Sequence, residues 1–179
     1  MEENLEMENF MAVCLKSAKE QLEETGDVTM ITFIRPKNKA EFLKKENIPR
    51  DAEPMAAIPF DMVGNKDRWY AIIGSFVERF GAYFSVMVAE SWYSEDPELK
   101  EDGTPNFAPS KDPNRKDCIS VIGVKYDDAG LVIEQTSLML PFDKKGNKIE
   151  FLELVTIKGE EGEGVRSELA DVTARQDLI

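Results

Sequence analysis

The sequence predicts an α+β fold, with a mostly antiparallel sheet of about five strands and two main helices on one face of it. Three observations support this prediction. Residues 5–24 and 66–80 carry apolar side chains at helical spacing. Residues 81–92 form a long, nearly uncharged run of aromatic and β-branched residues, which is typical of a strand covered on both faces. After residue 117, alternating segments separated by short polar turns indicate hairpins.

The first half of the chain is predicted to alternate between strand and helix. Residues 28–35 alternate and are β-rich, which predicts the first strand. Asn38 is placed to cap a short helix over residues 39–46. Residues 47–65 contain prolines and little periodicity, so we expect an irregular segment there. The helix over residues 66–80 then crosses from the first strand to the central one, which would make that pair parallel.

The second half is predicted to be a polar loop followed by three strands. Residues 93–115 are rich in proline and acids, and loops of this length are usually functional or mobile. Strands are predicted over residues 118–126, 131–140 and 148–157. The last of these lies at an edge of the sheet, where it could pair with a second copy of the chain in a homo-oligomer.

Composition indicates one domain with charged ends. We expect residues 1–158 to form a single α+β domain and residues 159–179 an acidic, Gly/Glu-rich, flexible tail. The formal net charge is −13, of which residues 1–25 carry −5 and residues 160–179 carry −4. No basic patch stands out, so neither direct nucleic-acid binding nor membrane binding is expected. The acidic start does not resemble a signal peptide, which favours a cytoplasmic protein.

The chain contains no histidine, which removes many kinds of catalytic site. Ser-His-Asp and Cys-His catalysis and histidine-based zinc sites are excluded. Cys14 and Cys118 lie within apolar patterns and are interpreted as small buried thiols. The acids of the 93–115 loop lack the spacing of a calcium-binding loop, and no nucleotide-binding motif occurs. We therefore expect no bound metal and no cofactor.

Glu90 and Trp92 are the first candidate binding residues. Both share a parity with Val86 and Val88, so Glu90 lies on a strand face that is otherwise expected to be buried. A carboxylate there must be paired, hydrogen-bonded or protonated. It could serve as a general acid/base or anchor a cation. Alternatively, it is a strand-end glutamate that reaches solvent or pairs with a lysine or arginine.

Ser110, Asp112 and Arg115 are the second group of candidates, within the proline-rich end of the 93–115 loop. If the flanking strands pair, Arg115 enters the sheet near the point where Glu90 and Trp92 leave it, and a Glu90–Arg115 bridge becomes geometrically feasible. The alternative is a rigid proline turn in which the serine and aspartate make only local hydrogen bonds.

The middle of the sequence resembles a group of bacterial and phage proteins in which a strand ending Glu-x-Trp is followed by a Pro-Ser-x-x-Pro-x-Arg loop. The matching segments are Ile58-Pro59-Phe60, Asn65-Lys66-Asp67, Phe80-Gly81-Ala82, Ala89-Glu90-Ser91-Trp92 and residues 109–117. Asp112 stands where that group often has histidine, so a role that needs imidazole would be absent here. The resemblance implies no activity. It implies only that strand, loop and next strand form one unit.

Three functions are consistent with these residues. The first is a small cytoplasmic binding or interaction protein with a protein partner, of a kind that a phage could carry, and without catalytic turnover. The second is an enzyme that uses Glu90 and Arg115 beside the long loop. The third is an acidic DNA mimic that blocks a nucleic-acid-binding partner through its negative surface.

Overall fold

The computed structural model describes residues 2–47, 49, 54–94, 100–102 and 111–160. In chain order, its elements are α1 (Glu2–Thr25), β1 (Ile31–Arg35), α2 (Lys39–Lys45), β2 (Ala56–Pro59), a 3₁₀ turn (Phe60–Met62), α3 (Lys66–Phe80), β3 (Phe84–Tyr93), β4 (Lys116–Tyr126), β5 (Val132–Lys145), β6 (Lys148–Phe151) and β7 (Val155–Glu160). All strand pairs among these residues are antiparallel. The predicted α+β class is confirmed.

The sheet built by the described residues has seven strands rather than about five, in the order β2-β1-β3-β4-β5-β6 with β7 also paired to β5. The predicted strand over residues 148–157 is divided in two, because the chain leaves the ladder at Leu152–Leu154. There the N–H of Leu152 donates to the carbonyl of Pro141 at 2.8 Å. β6 and β7 therefore follow one another along the same edge of β5. β2 lies in the segment that was expected to be irregular.

The expected parallel pair between the first and the central strand is wrong. β1 and β3 are antiparallel, with Phe33 opposite Val86. β1 lies between β2 and β3 in the sheet, and α3 connects these two outer strands. The crossover thus joins β2 and β3, which run in the same direction without being neighbours.

The helices lie on both faces of the sheet, so the prediction that they share one face is wrong. Face A, the side covered by α1, carries Phe84, Val86, Val88, Ile119 and Val121. Face B, the side covered by α3, carries Ile34, Met87 and Val124. β3 is buried from Phe84 to Ala89 on both parities, as predicted for the central strand. A strand that is apolar on both faces needs a cover on each, and this requirement explains the three-layer arrangement.

Local sequence signals determine where the helices begin and end. The side chains of Asn38 and Asn65 cap α2 and α3 by accepting from the backbone N–H three residues on, at 3.2 Å and 2.9 Å. Gly81 ends α3 with a φ of 65°, which favours glycine.

On face A, a Cβ at Gly123 would collide with the sulfur of Met11. Gly123 therefore gives α1 the room it needs against β4.

Candidate functional site

Glu90 lies on face A beside the end of α1, and both of its carboxylate oxygens have a partner. Oε2 accepts a hydrogen bond from the backbone N–H of Val28 at 3.2 Å. Oε1 lies 3.7 Å from Nζ of Lys144, which also donates to the carbonyl of Gly26 at 3.1 Å. The side chain is 29% exposed. Glu90 thus joins the α1–β1 connection to β3 and β5, and a carboxylate at this position is satisfied without a ligand.

Glu90 and Arg115 do not form the bridge that the sequence made feasible. Glu90 is opposite Ile119 on β4, whereas Arg115 precedes Lys116, the partner of Tyr93. Four residues of strand place the two positions about 13 Å apart along the sheet, and the guanidinium of Arg115 lies over Trp92 instead. The nearby base that does reach Glu90 is Lys144.

Trp92 and Arg115 meet on face A at the mouth of the long loop, and we call them the Trp92–Arg115 pair. The guanidinium carbon of Arg115 lies 5.7 Å from the centre of the indole ring, within the range of a cation–π contact. Trp92 is 48% exposed, and Arg115 is also exposed. On β4, Asp117 stands directly opposite Trp92. The pair therefore presents an exposed aromatic surface beside a positive charge.

Asp112 connects the two ends of the loop between β3 and β4 through hydrogen bonds. Its carboxylate accepts a hydrogen bond from the hydroxyl of Ser94 at 2.7 Å and another from the backbone N–H of Asn114 at 2.8 Å. The hydrogen bond from Ser94, followed by that from Asn114, lowers the pKa of the Asp112 carboxyl below its usual value. Ser94 immediately follows β3 and Asp112 lies shortly before β4, so this contact holds the two ends of the loop together. Ser110 lies outside the described residues.

The two cysteines are buried, as predicted, and their thiols are unreactive by environment. Burial raises the pKa of the Cys14 thiol to about 11. Burial also raises the pKa of Cys118, against the opposing effect of hydrogen bonds from Ser120 and Ser91. A nucleophilic cysteine requires the opposite shift. Neither thiol therefore has the environment of a catalytic nucleophile.

Two clefts lined by described residues lie away from the loop. One, of about 290 Å³, is an apolar groove between α1 and β1, lined in part by Phe10, Val13 and Phe33. The other, of about 190 Å³, lies at the opposite end of the sheet beside Arg35 and Lys125. Neither cleft is lined by Glu90, Trp92, Asp112 or Arg115. The candidate residues therefore lie outside both of these clefts.

Within the described ranges, no group of three or more acidic or cysteine side chains is arranged to hold a metal ion. No helix in this part of the chain is both long and apolar enough to cross a membrane. Comparisons with protein-family models, with curated proteins and with solved structures find no match. The case for a function therefore depends on the geometry of this chain.

Two residues of the site were missed by sequence reasoning. The strand predicted to end at residue 140 continues as β5 through Pro141 to Lys145, so Lys144 lies within the strand. Its parity with Phe142 could have placed it on face A, had the strand been extended past the proline. Ser94 could not be identified from the sequence, because a serine that follows a strand can make many other local hydrogen bonds.

Proposed function

We propose that this chain is a binding protein that recognises a protein partner through the Trp92–Arg115 pair. The observation that carries this proposal is the half-exposed indole of Trp92 with Arg115 held over it. Tryptophan and arginine are the residue types most enriched among those that dominate binding energy at protein interfaces. The hydrogen bond between Ser94 and Asp112 limits the motion of the loop base, which lowers the entropy lost when a partner binds.

The alternative of an enzyme that uses Glu90 and Arg115 is less well supported. A general base needs an oxygen free to reach a substrate proton, and both oxygens of Glu90 are engaged by the fold. Arg115 lies several residues away along the sheet and contacts an aromatic ring instead. These contacts favour a structural role for Glu90.

The alternative of an acidic DNA mimic is also less well supported. A mimic needs rows of unpaired negative charge that imitate phosphates. Two of the N-terminal acids face basic partners: Glu6 pairs with Arg35, and Glu8 pairs with Lys158 at 2.6 Å. These ion pairs reduce the negative field that the start of α1 could present to a partner.

The binding proposal is tested by quantitative capture from a lysate of the source cells, with chemical cross-linking before isolation. Wild-type protein is compared with Trp92→Ala and with Met62→Ala, a control at a side chain that is 83% exposed on another element. We expect one set of captured proteins to be lost with Trp92→Ala and retained with Met62→Ala. Loss of a central tryptophan commonly weakens an interface by about 2 kcal/mol or more, or roughly 30-fold. Equal capture by all three proteins would contradict the proposal.

The enzyme alternative is tested by a screen for turnover of nucleotides and common metabolites with purified protein. We expect no turnover above background. Robust turnover by the wild-type protein that is abolished in Glu90→Gln would establish the alternative and overturn the proposal. The Lys144→Met variant distinguishes loss of a catalytic group from loosening of the fold, because it disturbs the same contact without removing the carboxylate.

A further inference from the structure

Part of face A lies outside the area that α1 covers. Among the described helices, α1 is the one on this face, and it lies over β3 and β4. The other two helices, α2 and α3, pack together on face B. Face A of β1 and β2 carries Ile31, Phe33 and Ala57, beside α1 and not beneath it. Ala57 is exposed, and Ile31 and Phe33 are only half-buried.

The apolar groove of about 290 Å³ runs along this border between α1 and β1. Phe10 forms part of its wall, with its ring 5.3 Å from that of Phe33 and nearly perpendicular to it. Val13, on the same wall, is 63% exposed. At one end, the side chain of Gln21 donates to the hydroxyl of Thr29 at 2.7 Å and accepts from its backbone N–H at 3.1 Å. These two hydrogen bonds fix the distance between helix and strand, so the groove has a defined width.

The dimensions of this surface match those of one α-helix. Neighbouring strands are about 4.8 Å apart, so β1 and β2 together are about 10 Å wide, and a helix with its side chains is about 10–12 Å across. The lining residues of α1 extend from Phe10 to Gln21, which is about 16 Å or roughly three helical turns. Helices that pack side by side lie about 8–10 Å apart. The space beside α1 therefore accepts one further helix over β1 and β2.

The border of the groove on α1 is acidic. Glu20 and Glu24 follow Val13 by seven and eleven residues, a spacing that places all three on one side of the helix. Both glutamates are exposed, and neither has an ion-pair partner among the described residues. Lys16, the exposed base between them and Val13, leaves this border with a net negative charge. Opposite charge on a partner is therefore favoured.

We propose that this groove binds a basic amphipathic helix of a protein partner. The apolar residues of that helix, spaced at i, i+3 or i+4 and i+7, cover Val13 and Phe33, and its basic residues face the acidic border. A second copy of the chain is a poorer occupant, because it carries the same charge of −13 and the same acidic α1. This inference does not depend on the proposed function, because neither member of the Trp92–Arg115 pair lines the groove.

Titration of the isotope-labelled full chain with synthetic peptides tests the proposal, with backbone amide chemical shifts as the readout. The first peptide has about 18 residues, or roughly five helical turns, with a leucine stripe flanked by lysines. The second has glutamate in place of each lysine, and the third has the composition of the first without the stripe. We expect the first peptide to shift the amides of Val13, Ser17 and Phe33, with a several-fold lower Kd at about 0.05 M than at about 0.3 M salt.

Three results of this titration would overturn the proposal. One is an absence of shifts at these amides up to about 1 mM of the basic peptide, the limit of weak binding. Another is an equal response to the acidic peptide or to the peptide without a stripe. The third is a shift of the same amides when the protein alone is concentrated, which would assign the groove to a second copy.

Val13→Lys tests the apolar wall. The substitution places a charge in the groove at an exposed position, so it should leave the fold intact and weaken the basic peptide by about tenfold or more. Met62→Lys adds the same charge to an exposed side chain on another element and should weaken the peptide much less. Equal affinities of the two variants would contradict binding in the groove.

A charge-removing double variant tests the acidic border. Glu20→Gln/Glu24→Gln should weaken the basic peptide several-fold, because the two charges lie beside the bound helix. Glu78→Gln/Glu153→Gln removes the same charge from exposed positions elsewhere and should have a smaller effect. Equal losses for the two double variants would show that the peptide responds only to the net charge of the chain, and would overturn the assignment of a basic partner to this groove.

Discussion

Replacing Glu90 with alanine should destabilise the fold by about 1.5–3 kcal/mol. The variant leaves the N–H of Val28 without its acceptor at 3.2 Å, and hydrogen bonds to charged groups contribute about 1.5–3 kcal/mol. The ion pair with Lys144, at 3.7 Å and partly exposed, adds only about 0.2–1 kcal/mol. Glu90→Gln keeps an acceptor oxygen for Val28 and loses the charge. It should therefore cost about 0.2–1 kcal/mol, by the value of an exposed pair.

Urea unfolding at 25 °C, followed by tryptophan fluorescence, measures these differences. The matched variant is Lys144→Met, which keeps the aliphatic stem and removes the ammonium. The double variant Glu90→Gln/Lys144→Met should lose less free energy of unfolding than the sum of the two single variants, because both substitutions remove the same ion pair. A Glu90→Ala variant within about 0.3 kcal/mol of the wild type, smaller than a typical net hydrogen bond, would refute a structural role for the carboxylate. Equal losses for Glu90→Ala and Glu90→Gln would show that the charge, and not the acceptor, matters.

Three further predictions concern packing, acid stability and thiol reactivity. Gly123→Ala should lower the free energy of unfolding in urea by up to about 2.5 kcal/mol, because overpacking against Met11 costs about 1–3 kcal/mol and the stiffer unfolded chain returns about 0.4–1; a variant more stable than the wild type would contradict the close α1–β4 contact. The lowered pKa of Asp112 contributes stability above the ordinary value of about 3.9 and loses it as pH falls through the folded-state pKa. Melting temperatures between about pH 6 and pH 3 should therefore fall more steeply for the wild type than for Asp112→Asn, and parallel curves would count against the hydrogen bond from Ser94. Cys14, with its pKa raised to about 11, should resist iodoacetamide at pH 8 until urea unfolds the chain, and rapid labelling of the native protein would show that the thiol is accessible.

The helices were predictable because their signals are local. Each signal depends only on residues within one or two helical turns. These signals are the apolar stripe of α3 that begins at Trp69, the asparagine caps and Gly81. β2 was not predictable in the same way. It has four residues, and it becomes a strand only because β1 offers hydrogen-bonding partners for Ala56–Pro59. Two-sided burial of β3 was predicted, and it requires helices on both faces of the sheet, because a strand buried on both parities cannot be covered from one side.

The candidate site was predictable in location and less so in chemistry. Trp92 and Arg115 meet near the loop, because pairing of β3 with β4 follows from the order of the elements. The partner of Glu90 depends on Lys144, which is distant in sequence and reaches face A only because β5 runs through Pro141. Contacts between distant segments of this kind depend on register, and a single sequence constrains register weakly.

The packing of α1 on β4 has a consequence for synthesis. The apolar stripe of α1 is complete when Thr25 has been made, but its β4 cover is complete only at Tyr126. At roughly 5–20 residues per second, that interval is about 5–20 s, during which Met7, Met11 and Leu22 lack their native neighbours. Because folding must wait for long-range contacts, it is expected to be slow and to benefit from a chaperone that shields the first helix.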